Sequence, residues 1–343
     1  MFAYFLRRIL LIIPTFLGIT LMCFLIINMA PGSPVEQKLQ QIRFGAAGAS
    51  GDSSFGGSST TGVNEEIIQS LKEQYGFDKP VVERYWIWLK NISRLDFGES
   101  FTYGEPVLDV IISKFPVSLQ FGLVSFLLTY LVCIPLGVKK ALSAGKAFDR
   151  ISGFILYFAY SIPPLVLGIL LIVVFAGSSY VSWFPIGGLY SDNYESLSFM
   201  GKVGDRIHHF VLPLICYMIG GFTELSLLTR NSMLDIIKSD YIRTARAKGL
   251  PENVVIYKHA LRNALIPVAT GVGSFMGVFL TGSLIIETIF NLDGIGLLSY
   301  SSILSRDYNV VMGLIFLSSM ALMLGNLLSD FIYVLVDPRI DFK

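Results

Sequence analysis

Apolar residues gather in long blocks along this chain, and polar residues fill the gaps between them. Six blocks stand out, at residues 9–29, 116–138, 151–176, 210–229, 265–289 and 310–336. A run of roughly 20 apolar residues is long enough to cross a bilayer as a helix. A helix also satisfies its own backbone there, where water cannot. The pattern therefore predicts an all-α polytopic membrane protein with six transmembrane helices.

The gaps divide the chain further. Residues 1–30 make one N-terminal helix, 31–116 a long segment between crossings, and 117–343 a core of five crossings. Inside the long segment, residues 43–62 are rich in Gly, Ser, Ala and Thr and hold few groups able to build a core. That composition predicts a mobile loop. Asn64-Glu65-Glu66 starts a short helix that runs to about Gln74. A second helix follows Pro80, where Val81, Tyr85, Trp88 and Leu89 fall on one face. Tyr85, Trp86 and Trp88 suit the outer membrane interface. Leu95 to Ser100 reads as a tight turn.

Two blocks are interrupted. Pro163 and Pro164 break the third, because each removes a backbone donor. The break is either a packing kink or part of a pathway through the membrane. Gly273 and Gly277 in the fifth block form a small-xxx-small face, which serves close helix packing or lines a substrate path. Glu224 lies about one turn from the cytoplasmic end of the fourth block. It either faces the pathway or snorkels to the interface.

Charge orients the chain. Only 15% of residues are charged and 53% are hydrophobic, whereas soluble domains run near 25% charged. Arg7 and Arg8 precede the first block, and Lys139, Lys140, Lys146 and Arg150 lie near the junction of the second and third. The short loops on the other side hold only Lys202, Arg206 and Arg306. Short basic loops stay in the cytoplasm, so both termini are expected there. Net charge is +1, which gives no global field to recruit nucleic acid. Cys23, Cys133 and Cys216 lie within apolar blocks and are expected as buried, reduced thiols.

The most informative polar stretch is 239–264, between the fourth and fifth blocks. Ser239 or Asp240 suits an N-cap. Gly249 suits the position after a helix end, where positive φ is required, and Leu250 the closing apolar contact. Pro251 then opens a second helix. Ile237, Tyr241, Ala245 and Lys248 fall on one side of the first arm, and Arg243, Arg246 and Lys248 make it basic. Apolar flanks exclude a DNA-reading role for this helical hairpin. A cytoplasmic hairpin with a small, apolar face is instead a place for a partner protein to grip.

Other chemistries lack their residues. Gly145-Lys146 has no Gly five positions earlier and no Ser or Thr after the lysine, so no phosphate-binding loop exists here. His208 and His209 are adjacent rather than i, i+4, which argues against a metal pair. An intramembrane protease would need a Ser–His pair or paired Asp within the blocks. An ion-coupled transporter would be expected to show internal repeats and midplane ionisable groups.

Tyr241-x-Arg243-Thr244-Ala245-Arg246-Ala247-Lys248-Gly249-Leu250, followed by His259-Ala-Leu-Arg-Asn-Ala-Leu-x-Pro267, resembles the cytoplasmic coupling loop of ATP-binding-cassette importer permeases of the peptide branch. Arg243 replaces the acidic residue of the general form. The likeness extends through Ala30-Pro31-Gly32-x-Pro34, Tyr75-Gly76-Phe77-Asp78-x-Pro80, Asp96-Phe97-Gly98-x-Ser100 and Asn326-x-x-x-Asp330-x-x-Tyr333-x-x-x-Asp337-Pro338-Arg339. These series resemble the dipeptide/oligopeptide permease B family, and most of all its Yej-type branch, which is associated with oligopeptides and microcin C. The resemblance implies a type I importer permease fold. It implies a homologous second permease, cytoplasmic ATPase subunits or a fused double ATPase, a periplasmic peptide-binding protein, a peptide substrate and a surrounding lipid bilayer. ATP and Mg would be bound by the ATPases, with no cofactor in this chain. It also implies that Tyr241, Arg243, Thr244, Ala245, Arg246, Ala247, Lys248 and Gly249 touch the ATPase. A related permease for nickel or another small solute is the alternative.

Overall fold

The computed structural model of the chain describes residues 2–29, 79–177, 180–271 and 282–336. In order, these residues form α1 (Phe2–Met29), α2 (Val81–Ile92), α3 (Val107–Leu142), α4 (Ala147–Tyr160) and α5 (Pro164–Leu171), which runs on into a π-helical turn, Ile172–Ala176. After a 3₁₀ turn at Tyr194–Ser196 come α6 (Phe199–Ile237), α7 (Asp240–Ala247), a π-helical stretch at Val254–Ala260, α8 (Leu261–Ala264) and α9 (Ile266–Thr270). The chain closes with α10 (Leu284–Ile289), α11 (Ile295–Leu304) and α12 (Tyr308–Val336).

Helices α1, α3, α6 and α12 are each long and apolar enough to cross a membrane, and α4 with α5 makes a fifth candidate bent by 95° at Ser161–Pro163. The block expected at 265–289 is described only at its two ends. The insertion at 43–62, the helix expected at 64–74 and the C-terminal Asp337-Pro338-Arg339 motif lie outside the described residues.

Helix ends do not coincide with the ends of the apolar blocks. Helix α6 has 39 residues, about 58 Å at 1.5 Å per residue, against roughly 30 Å of hydrocarbon. It starts at Phe199, inside the expected outer loop, where the Ser198 hydroxyl caps Gly201 N–H at 3.3 Å. Helix α3 likewise starts at Val107 and runs past the block to Leu142. Both helices therefore outrun the apolar blocks that predicted them.

The described residues fall into two compact units, one drawn from 2–9, 114–298 and 320–336, the other from 10–113 and 299–319. In the second unit, Phe24, Tyr85 and Met312 form a core against which Val81, Trp88 and Leu89 pack. The predicted face of α2 is thus the buried one, and Trp86 points away, 64% exposed. The Leu95–Ser100 turn has positive φ at Leu95 and Gly98. Its Asp96 carboxylate accepts from Gly98 N–H at 3.0 Å. What sequence spacing did not show is its closure through Asp307. The Ser100 hydroxyl donates to that carboxylate at 2.5 Å, and Thr102 N–H does so at 3.0 Å.

In the first unit, Phe121 of α3, Leu212 and Cys216 of α6 and Ile286 of α10 share one apolar core with Phe290 and Leu292. Arg8 pairs with Asp330. Cys133 and Cys216 are buried and unbridged, and Cys23 is free and partly buried.

Candidate coupling hairpin and membrane core

Helix α7 and the stretch after it form the expected hairpin. Gly249 sits at φ +75°. Gly249 N–H bonds the Arg246 carbonyl at 2.9 Å, and Leu250 N–H reaches the Ala245 carbonyl at 3.4 Å. These two bonds are the Schellman ending, in which a left-handed residue folds the chain back over the last helical carbonyls. A Cβ at Gly249 would meet no atom within 4 Å, so the backbone angle alone demands glycine.

Three details depart from expectation. The Ser239 side chain does not cap α7; its hydroxyl donates backwards to the Ile236 carbonyl at 2.6 Å. The second arm is not a plain α-helix, since Val254–Ala260 is π-helical and α8 adds only four residues. The buried stripe of α7 is Ile242 with Ala245, at 0% and 9% exposure, while Tyr241 is 43% exposed. Ile242 and Ala245 pack on Met233 of α6, on Val138 and Ala141 of α3, and on Val255, Ile256, Ala260 and Ala264 of the second arm. Ala245 therefore faces the hairpin's own core.

The remaining candidates face outward. Tyr241, Arg243, Thr244, Arg246, Ala247, Lys248 and Gly249 are all exposed. Tyr241 Oη accepts from Asn263 Nδ2 at 2.7 Å, which ties the two arms together. Arg246 grips Glu252 through two bonds, of 2.6 and 3.2 Å. The Arg246 hydrogen bonds hold the Glu252 carboxyl below the usual carboxylate range, and the same bonds raise Arg246. Arg243 reaches Asp240 at 3.6 Å. The hairpin thus presents a basic outer face braced by its own side chains.

Buried charges, some of which the sequence had placed at the junction of the second and third blocks, tie α3, α4 and α6 together. Lys140 is 1% exposed and Asp149 is buried. Asp149 receives Arg230 Nε at 2.7 Å and Nη2 at 2.6 Å, and Gly145 N–H at 3.2 Å. Lys140 Nζ lies 3.5 Å from the same carboxylate and donates to Ser152 Oγ and the Asp149 carbonyl at 3.0 Å each. This cluster joins the end of α3, the start of α4 and the lower part of α6. The apolar cluster under α7 holds the next turns of α3 and α6.

Two of the four pathway candidates lie within the described residues. Pro163 and Pro164 are exposed at the 95° bend, where Pro163 precedes α5 and Pro164 opens it. Gly273 and Gly277 lie outside the described residues.

One group escaped the sequence reading. Glu287 on α10 is 0% exposed. Its carboxylate accepts from Ser118 Oγ at 2.8 Å, Tyr217 Oη at 3.1 Å, Ser283 N–H at 3.2 Å and Leu297 N–H at 3.0 Å. Ser118 Oγ also accepts from Ile295 N–H at 2.8 Å. A Cβ on Gly294 would collide with this carboxylate. The signal available was an acid inside an apolar block, which by default marks a functional or pinned position.

Comparison with known proteins completes the picture. Residues 133–342 match the family of binding-protein-dependent transport system inner membrane components. The chain is 44% identical over 358 residues to the peptidoglycan transport system permease protein YejB of Agrobacterium fabrum, covering 99% of this chain and 98% of that protein. It is 43% identical over 360 residues to the inner membrane ABC transporter permease protein YejB of Escherichia coli O157:H7, covering 99% of each. It is 37% identical over 347 residues to the oligopeptide transport system permease protein AppB of Bacillus subtilis, covering both chains fully. With the matched region spanning the bent pair, the hairpin and Glu287, this chain belongs to the binding-protein-dependent transport system inner membrane component family.

Proposed function

We propose that this chain is the transmembrane permease subunit of an ATP-driven peptide importer and forms half of the pathway. The observation that carries the proposal is likeness over the whole length to permeases named for oligopeptide and peptidoglycan transport. That naming favours peptides over nickel, and conjugates such as microcin C are a further candidate cargo on this reading. The chain sits in the inner membrane with six crossings, a periplasmic segment after the first, and both termini in the cytoplasm. It pairs with a homologous second permease and receives peptide from a periplasmic binding protein. The ATPases bind ATP and Mg, and this chain has no ATPase site of its own.

The hairpin at 239–264 carries the coupling. ATP-driven closure of the ATPases moves its exposed face, and its buried face transmits that motion to α3 and α6. A ligand shifts such an equilibrium only through its differential affinity for the two states. ATP and the loaded binding protein must therefore each favour the outward-open state. The test is co-purification of the ATPases with Lys248→Glu and with Ala247→Trp, alongside peptide uptake. Both positions are exposed, so insertion and hairpin packing should survive. Charge reversal or bulk on a docked face costs several kcal/mol, and the ATPases should be lost. Wild-type retention of ATPases and uptake by both variants would overturn the coupling assignment.

A further inference from the structure

A cavity of about 430 Å³ opens between α3, α6 and α9 in the first unit, lined by Ser125, Thr129, Tyr130, Tyr217, Glu224 and Val268 among others. That volume is in the range of small-ligand sites. On α6 the lining residues Tyr217, Gly221, Glu224, Leu225 and Leu228 share one face. Three lining hydroxyls are spent within the chain: Ser125 donates to the Gly122 carbonyl at 2.9 Å, Tyr130 to the Val268 carbonyl at 3.3 Å, and Tyr217 to Glu287 at 3.1 Å. Glu224 is exposed to the cavity and has no hydrogen-bond or ion-pair partner among the described residues. Arg230, less than two turns further along α6, is already held by Asp149.

Glu224 lies on the cavity-lining face of α6 with Tyr217, Gly221 and Leu228, so its carboxylate has the cavity to face. Acids inside a membrane protein face a cavity and carry a partner or a substrate. Resting on the peptide-permease reading, we propose that Glu224 is the subsite for the amino-terminal ammonium of a peptide in transit. An ammonium offers three donors to an acceptor-only carboxylate. A peptide carboxylate would be repelled at the same place, so the subsite also sets which end of the peptide enters this half of the pathway.

The test uses the full transporter, reconstituted with partner permease, ATPases and binding protein. Uptake of free-amine tetra-alanine is compared with that of N-acetyl tetra-alanine. Both are supplied at concentrations that saturate the binding protein, so that its own preference drops out. Glu224→Gln should lower uptake of the free-amine peptide roughly tenfold, the effect of one charged hydrogen bond. Uptake of the acetylated peptide should stay where it was, and Glu224→Asp should restore most of the preference. Equal slowing of both peptides, or no change in either, overturns the subsite. So does loss of the partner permease from purified Glu224→Gln, which would assign the matching cation to that subunit. If the wild type carries neither peptide, the peptide reading itself falls, and the subsite falls with it.

Discussion

Glu287 is fully buried, yet each of its oxygens accepts from the protein. Its partners come from α3, α6, the start of α10 and the start of α11, so one carboxylate gathers four elements. Removing it leaves two hydroxyls and two backbone N–H groups facing an empty volume. An abandoned buried donor costs about 1–3 kcal/mol, and some donors will find water. Glu287→Ala should therefore lower stability by about 3 kcal/mol or more, read as thermal unfolding in detergent. Glu287→Gln keeps one accepting oxygen and should cost less. An alanine variant as stable as the wild type would show that the cage is ornamental. Sequence reading passed over this residue because its partners at Ser118 and Tyr217 lie 169 and 70 positions away. The same holds for Ser100 and Asp307, 207 positions apart. Local features such as the positive φ at Gly249 were legible, since the glycine and its closing Leu250 are adjacent.

At the scale of elements, the apolar blocks located four long helices and the bent pair, and periodicity located the buried face of α2. It did not fix helix ends, since α3 and α6 remain helical past the ends of their apolar blocks. Nor did it separate π from α geometry at Val254–Ala260, where both keep similar residues inward. The clasp joining α3, α4 and α6 was read as loop charge, because a lysine's burial depends on where Asp149 and Arg230 fold. Burial gives the clasp its mechanical meaning. Breaking a buried ion cluster by removing one partner typically costs 3–5 kcal/mol. Asp149→Asn should thus destabilise the protein by about 3 kcal/mol in detergent unfolding. Lys140→Met added to it should recover part of that loss, because the ammonium is no longer buried beside a neutral side chain. If the double variant is no more stable than Asp149→Asn alone, Lys140 is not held by that charge. With the clasp cut, motion of α6 should reach α3 and α4 less faithfully, so ATP turnover should persist in the assembled transporter while uptake falls.

At the scale of the whole molecule, the proposed topology makes a sided prediction. Four long helices and one bent pair are described, and the region 265–289 supplies the sixth crossing of the proposal. With an inside amino terminus, successive crossings place Tyr103 and Asp192 outside, and Lys146 and Lys248 inside. All four lie in or beside connections rather than in the membrane blocks. The native thiols Cys23, Cys133 and Cys216 sit in the crossings and are replaced by serine or alanine first. Single cysteines are then installed at 103, 146, 192 and 248, and intact cells are treated with a membrane-impermeant maleimide. Positions 103 and 192 should react in intact cells, and 146 and 248 only after the membrane is opened. Reaction at 146 or 248 in intact cells would put a basic connection outside, against the charge rule that oriented the chain. Equal protection of 192 and 248 would mean that α6 does not cross. Then the hairpin and the outer loop would share one side, and ATPases docked on the hairpin could not drive α6 across the bilayer. The labelling pattern therefore tests whether the coupling path through α7, the Asp149 clasp and α6 runs from the cytoplasm into the membrane.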